Sequence, residues 1–350
     1  MTLRIDPTVA AMVAYHVPQP PQIRAKLDAN ELAFGLPAEL RARLGAELAT
    51  VPLERYPDPN ARELRALVAD QLGVGGDQLV FGNGSDELIG LLAAVLAGPV
   101  LSPAPSFVYY SLAASARGRT SLTVPLDARF ELDEPAFERA IVAHRPAIVF
   151  LALPNNPTGT LWRTDFAVEL AARHPDVAIV SDEAYFAYSG KTNLPHVAAH
   201  PNLIVMRTLS KVGFAGLRVG FTASSRELAH ELEKVRPPYN VSAIDQRAAC
   251  FALRECGAWS AQQAAAIVAE RGKLAAALAG FGFEVFASEA NLILVRRAGA
   301  GRLWNQLAER GIVVRDFDRP GPLAGCLRIT VGTPAENALL VAALTELCAG

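Results

Sequence analysis

Residues 148–159 read Ile148-Val149-Phe150-Leu151-Ala152-Leu153-Pro154-Asn155-Asn156-Pro157-Thr158-Gly159, six apolar residues in a row and then a polar turn. An unbroken apolar run of that length fits a strand covered on both faces, as in a parallel sheet. The same alternation extends to both sides, from about residue 75 to 225: Leu79 to Phe81, Val100 to Leu101, Leu122 to Val124, Val177 to Val180, Leu203 to Met206 and Val219 to Thr222. Helical patterns separate the runs, among them Glu87 to Ala97, Pro135 to Ala143 and Thr164 to Ala172, the last opening on an N-cap candidate, Thr164. Seven short strands with helices between them predict an α/β fold around a mostly parallel sheet.

After Pro237-Pro238 the texture changes. A long alanine-rich helix is expected over Ala243 to Gly280, then Glu284 to Phe286, Leu292 to Val295, a helix from Arg302 to Arg310, Ile312 to Arg315 and Leu327 to Val331, an α+β segment. The first 45 residues carry Pro18, Pro20 and Pro21 and read as an arm. The expected organisation is therefore an arm over 1–45, a large domain over 46–240 and a small domain over 241–350, with the arm completing the small domain.

Composition narrows the function. The 350 residues are 51% hydrophobic and 19% charged with a mean hydropathy of +0.22, a globular composition. Thirty-three Lys+Arg against 35 Asp+Glu give a net charge of −2 without a basic run, which argues against nucleic acid as a partner. The longest apolar stretch, Leu88 to Leu101, has 14 residues and is interrupted by Gly90, Gly98 and Pro99, whereas a membrane span needs roughly 20. No secretory signal is legible, so no membrane partner and a cytoplasmic location are expected. Cys250, Cys256, Cys326 and Cys348 lack metal-ligand spacing, and neither a disulfide nor a metal site is expected. The sequons at Asn83 and Asn240 are chance matches in such a setting.

The chemistry lies where polar residues follow strands, because ligands of open α/β sheets sit outside the carboxyl ends of the strands. Gly82-Asn83-Gly84-Ser85-Asp86 opens into a helix, whose free N–H groups favour a phosphate. It is neither a dinucleotide fingerprint nor a P-loop, and alone it reads equally as a turn. Lys211 follows the run ending at Met206, with hydroxyls at Thr208 and Ser210 and a cation at Arg218; it could form a Schiff base beside a phosphate site, or be a surface lysine. Asp182 ends the run Val177 to Ser181, where its carboxylate would need a cationic partner such as a protonated pyridine nitrogen, unless it caps the next helix. A lysine Schiff base with an aspartate on the pyridinium is the pairing used by pyridoxal phosphate (PLP) enzymes. Asn156 and Tyr185 could hydrogen-bond the phenolic oxygen of such a ring, and by themselves read as turn and packing residues.

With those residues in hand, the chain resembles the PLP-dependent aminotransferases of the aspartate aminotransferase fold, and among them the histidinol-phosphate aminotransferases. The matching pieces run in order through nearly the whole chain: Leu27 to Glu31, Arg55 to Pro59, Gly82 to Glu87, Pro105 to Tyr110, Asn155 to Gly159, Asp182 to Tyr185, Thr208 to Lys211 with Gly216-Leu217-Arg218, Val314 to Asp316, and Leu327 to Gly332. The resemblance implies a large PLP-binding domain and a small α+β domain. In it Lys211 is the Schiff-base lysine, Asp182 pairs with the pyridinium, Asn156 and Tyr185 contact the phenolic oxygen, and Tyr110 stacks on the ring. It further implies that Ser85, Asp86, Thr208, Ser210 and Arg218 hold the cofactor phosphate, joined by Tyr56 from the other subunit of a homodimer. Arg328 and Arg315 would bind substrate, with Asn30 contributing from the arm; Tyr15, in the same arm, is a candidate contact for the imidazole or, beside His16, a packing residue.

Two departures from the family pattern are visible. Lys211 and Arg218 are seven apart where many relatives have eight, and Leu32-Ala33-Phe34-Gly35 stands where the family usually has Asn-Pro-Tyr-Gly. The implied reaction is ping-pong transfer of an amino group between glutamate and imidazole acetol phosphate, giving histidinol phosphate in histidine biosynthesis. An aromatic amino-acid aminotransferase and a PLP-dependent decarboxylase share the motifs. A PLP-sensing transcriptional regulator would need a basic DNA-binding segment, and none is present at the N-terminus.

Overall fold

All seven runs pair into one sheet. In the computed structural model, which describes residues 3–5, 7–12 and 22–348, the strand after β1 (Ala25–Leu27) is β2 (Leu79–Asn83), followed by β3 (Val100–Ala104), β4 (Ser121–Pro125), β5 (Ile148–Ala152), β6 (Ala178–Asp182), β7 (Leu203–Thr208) and β8 (Val219–Ala223). The order across the sheet is β2-β8-β7-β6-β5-β3-β4. Every pairing from β7 through β4 is parallel, and β8 alone runs antiparallel to both of its neighbours.

The apolar runs are continuous because both faces of the sheet are covered. Leu101, Val149, Leu151, Ile179, Leu203 and Val205 pack with Phe137, Ile141, Phe166 and Leu170 from helices Glu134–His144 and Asp165–Arg173. Their neighbours Val100, Ile148, Phe150, Val180, Ile204 and Met206 point the other way, against Leu88, Ile89 and Leu92 of helix Gly84–Val95 and Leu232 of helix Arg226–Val235. Burying a leucine or phenylalanine side chain contributes about 1.5–3 kcal/mol, so these two layers dominate the stability of the large sheet.

The second sheet is formed by β1 with β9 (Glu284–Val285), β10 (Leu292–Arg296), β11 (Ile312–Asp316) and β12 (Cys326–Thr330), in the order β1-β11-β12-β10-β9. Strand β1 pairs parallel to β11, with Leu27 opposite Val314, so a piece of the N-terminal segment completes a sheet otherwise made by the C-terminal one.

Three local features differ from the sequence reading. The expected helix over 243–280 is two, Ala243–Glu255 and Gly257–Gly280, broken where Cys256 turns its side chain fully into the core and is followed by glycine, a poor helix former. The first of these two packs with Phe81 and Phe221 of the large sheet. Thr164 precedes helix Asp165–Arg173, yet its side chain makes no capping bond because its own backbone is already helical. Position 45, the expected end of the arm, falls inside helix Ala38–Leu48.

Candidate active site

Strand direction gathers the polar turns at one edge of the large sheet. Strands β5, β6 and β7 run parallel and end there, β2 ends there because it is antiparallel to β8, and β8 starts there for the same reason. The register lines up Ala152 with Asp182, Asp182 with Met206, Thr208 with Gly220, and Asn83 with Val219. Between this edge and the second sheet lies a cavity of about 380 Å³. Asn30, Ser85, Asp86, Tyr110, Asn156, Asp182, Tyr185, Thr208, Ser210, Lys211, Arg218, Arg315 and Arg328 all line it. Tyr56 does not; it is 81% exposed and stacks on Tyr239 with ring centres 4.5 Å apart. Tyr15 lies outside the described residues.

Lys211 sits in a short 3-10 turn, Leu209–Lys211, directly after β7, and Tyr188 donates its hydroxyl hydrogen to the Lys211 carbonyl. The ammonium reaches the Ala29 carbonyl at 3.3 Å. Burial, with Arg328 nearby, lowers the lysine pKa to about 8, which leaves a useful fraction as free amine near neutrality. Asp182 is buried on the same floor. It accepts from the Tyr110 hydroxyl at 2.6 Å and from the Ala184 N–H at 3.1 Å, and among the described residues it has no ion-pair partner. Burial pushes its carboxyl up to about 6, the signature of an acid enclosed without a counter-charge.

The other end of the cavity suits an anion. Ser85 and Asp86 lie in the first turn of the twelve-residue helix Gly84–Val95, and Thr208 donates to the Val219 carbonyl while accepting from the Ser210 N–H. Arg218 approaches the helix start so closely that a Cβ on Gly84 would stand 2.5 Å from its guanidinium, and a Cβ on Gly220 would stand 2.9 Å from the Ser85 nitrogen. Glycine is required at both positions for that approach. The Arg218–Asp86 pair at 3.1 Å is half exposed and contributes little on its own. The seven-residue spacing from Lys211 is accommodated by Gly213 at φ 102° and Arg218 at φ 51°, which keep both cations on the same cavity.

The wall from the second sheet supplies Arg315 and Arg328, which are direct partners across β11 and β12. Arg328 donates to Asn156 Oδ1 at 2.6 Å and to the Asp28 carbonyl, tying the small sheet to the end of β5. Asn30, expected from the resemblance at the substrate, is 1% exposed and turned into the protein, where its amide donates to the Tyr185 hydroxyl at 2.8 Å. Tyr110, expected from the resemblance to stack on the cofactor ring, is 1% exposed, its ring stacked on Phe150 at 4.4 Å and its hydroxyl donating to Asp182. Phe107, three residues earlier and edge-on to Tyr110, is an aromatic lining both this cavity and an adjoining one of about 410 Å³ that also contacts Arg315 and Arg328.

Residues 23–344 match the family model described as aminotransferase class I and II. The chain belongs to that family. Among its relatives, the histidinol-phosphate aminotransferase of Paracidovorax citrulli is 44% identical, with 97% of this chain and 96% of the relative covered. The crystal structure of histidinol-phosphate aminotransferase from Sinorhizobium meliloti in complex with pyridoxal-5'-phosphate superposes with a TM-score of 0.88 at 26% identity, covering 100% of this chain and 98% of that one. L-threonine-O-3-phosphate decarboxylase from Porphyromonas gingivalis has a TM-score of 0.78 at 22% identity, covering 93% and 99%, which is a likeness of fold alone.

Sequence reasoning passed over two features of this aminotransferase site. One is Phe107, inside a quoted motif but three positions from the tyrosine chosen there, a choice that spacing on a helix start cannot make. The other is Glu183, 2% exposed, which pairs with Arg207 at 2.9 Å and accepts from Thr192 and the Asn193 N–H on the far face of the sheet from Asp182. That pair binds the ends of β6 and β7, which carry Asp182 and Lys211. An acidic residue beside Asp182 and an arginine four before Lys211 were the available signal.

Proposed function

We propose that the protein transfers an amino group between L-histidinol phosphate and 2-oxoglutarate, equivalently between glutamate and imidazole acetol phosphate, in histidine biosynthesis, with pyridoxal phosphate held on Lys211. The observation that carries the reading is that one cavity brings together Lys211, in the turn after β7, and the buried Asp182 at the end of β6, which among the described residues has no ion-pair partner. The donor set fits the cofactor: Asp182 would face the pyridine nitrogen, Asn156 and Tyr185 the phenolic oxygen, Phe107 the ring, and Ser85, Asp86, Thr208, Ser210 and Arg218 the phosphate. Bound there, pyridoxal phosphate supplies an electron sink for the carbanion of transamination. Lys211 Nζ moves the proton to and from the substrate carbon, and Asp182 holds a proton at the ring nitrogen. Arg315 and Arg328 take the carboxylate of glutamate and the phosphate of histidinol phosphate in turn, since two guanidinium groups match either anion.

The active species in this proposal is a cytoplasmic homodimer. The exposed Tyr56 and its neighbour Leu53, 74% exposed, supply an aromatic and an aliphatic contact for the partner subunit, with Tyr56 directed to the partner's cofactor phosphate. No helix among the described residues is long and apolar enough to cross a membrane. A second reading, an aromatic amino-acid aminotransferase, draws on the walls of the adjoining cavity, which include Phe107, Tyr109, Leu112 and Phe317. A decarboxylase is separated from the proposed transaminase by a donor that carries a carboxylate: with glutamate as donor and imidazole acetol phosphate as acceptor, 2-oxoglutarate appears without carbon dioxide. Carbon dioxide release, or no 2-oxoglutarate, contradicts the proposal.

A further inference from the structure

We infer that Asn30 is a positioning residue that fixes Tyr185 as a hydrogen-bond donor toward the phenolic oxygen of the cofactor, an inference that rests on the reading of Lys211 as the pyridoxal phosphate lysine. Asn30 follows β1 at φ 54°, a conformation that asparagine tolerates better than most residues. Its backbone N–H donates to Thr330 Oγ1 at 2.9 Å, so the Thr330 hydroxyl hydrogen is left for Asn30 Oδ1, 3.1 Å away. In that closed pair the Thr330 hydroxyl accepts from the Asn30 backbone and donates to the amide oxygen, which assigns Oδ1 to the Thr330 side. Its Nδ2 donates to the Tyr185 oxygen at 2.8 Å. Asn291 adds a bond to the Asn30 carbonyl at 3.0 Å, and the whole arrangement is buried.

A tyrosine hydroxyl has one hydrogen. With an N–H arriving from the Asn30 side, that hydrogen points away from Asn30, into the cavity shared with Asn156 and Lys211. Asn30 thereby links three elements: β1, β12 through Thr330, and the turn after β6 that carries Tyr185. The titratable groups facing Tyr185 are Arg328, Asp182, Tyr188 and Lys211, whose ammonium lies 6.0 Å from the tyrosine ring centre. Burial raises the Tyr185 hydroxyl pKa, Arg328 and the Asn30 amide oppose that rise, and Asp182 adds to it.

A donor at the phenolic oxygen holds negative charge on that oxygen and lowers the proton affinity of the nitrogen contributed by Lys211. The test is a pH titration of the visible absorption band of the holoenzyme. In Asn30→Asp the new carboxylate accepts from Tyr185, the hydroxyl hydrogen turns away from the cofactor, and the midpoint moves up by about one pH unit, the size of one lost hydrogen bond to a charged group. Asn30→Gly, which tolerates the backbone conformation and adds no charge, moves it the same way by less and decides the matter if Asn30→Asp does not fold. Midpoints equal to wild type in the folded variants overturn the inference, because a purely structural Asn30 would not move them. If the wild-type protein has no visible band, or borohydride fails to label Lys211, the underlying cofactor reading falls and takes the inference with it.

Discussion

The Tyr110 hydroxyl donates to Asp182 Oδ2 at 2.6 Å and is the one side-chain donor to that carboxylate among the described residues. That bond fixes the orientation of the acid. Tyr110→Phe should lower turnover by about tenfold, the rate equivalent of one hydrogen bond to a charged group. Asp182→Ala should lose far more rate than cofactor affinity. Steady-state kinetics at saturating pyridoxal phosphate checks both, and near wild-type turnover in Asp182→Ala would reject its role.

Asp182 also makes a prediction about stability. Its pKa is about 6 in the folded cofactor-free protein against 3.8 for an ordinary aspartate, so the folded state keeps a proton that the unfolded state releases. Stability contributed at this site is therefore lost as pH rises from about 4 to 6 and stays lost above. Cofactor-free Asp182→Asn should be more stable than wild type at about pH 7, by at most on the order of 3 kcal/mol, and no more stable below about pH 4. Denaturant melts at the two pH values read this directly; the same difference at both would assign the effect to something other than titration.

The seven strands were legible because continuous apolar runs have few other uses in an α/β chain, and Lys211 and Asp182 were legible because each follows or ends such a run. Tyr110, Phe107 and Asn30 were not. Their roles depend on where a ring packs or which way an amide faces, and neither spacing nor residue type carries that information. The break at Cys256 was hidden for a related reason: the alanine-rich pattern favours helix on both sides of it, and only the burial of that one side chain turns the chain.

Lys211 should be the most reactive lysine of the five. With a pKa near 8 it is half free amine there, whereas an ordinary lysine needs a pH near 10.5. The rate at which cofactor-free protein takes up pyridoxal phosphate should rise through about pH 8 and then level off, and borohydride followed by peptide mapping should mark Lys211. A mark on Lys191 or Lys234 is the contrary outcome.

Tyr56 is absent from the cavity of its own chain and 81% exposed, so its proposed contact with the cofactor phosphate requires a second subunit. Sedimentation should find a dimer at working concentration, and Tyr56→Phe should weaken pyridoxal phosphate retention without unfolding the protein. A monomer with full cofactor occupancy would exclude the contact.

The central claim, that this cavity serves histidinol phosphate, rests on Arg315 and Arg328 meeting two different anions from adjacent strands. The most direct measurement is kcat/KM for histidinol phosphate, phenylalanine and tyrosine, each with 2-oxoglutarate as acceptor, and for glutamate with imidazole acetol phosphate as acceptor, in wild type and Arg315→Ala. The account predicts a preference for histidinol phosphate of at least on the order of tenfold, because losing one charge-assisted contact costs about 1.5–3 kcal/mol, and a larger loss for histidinol phosphate than for glutamate in Arg315→Ala. Equal or greater efficiency with phenylalanine would contradict it.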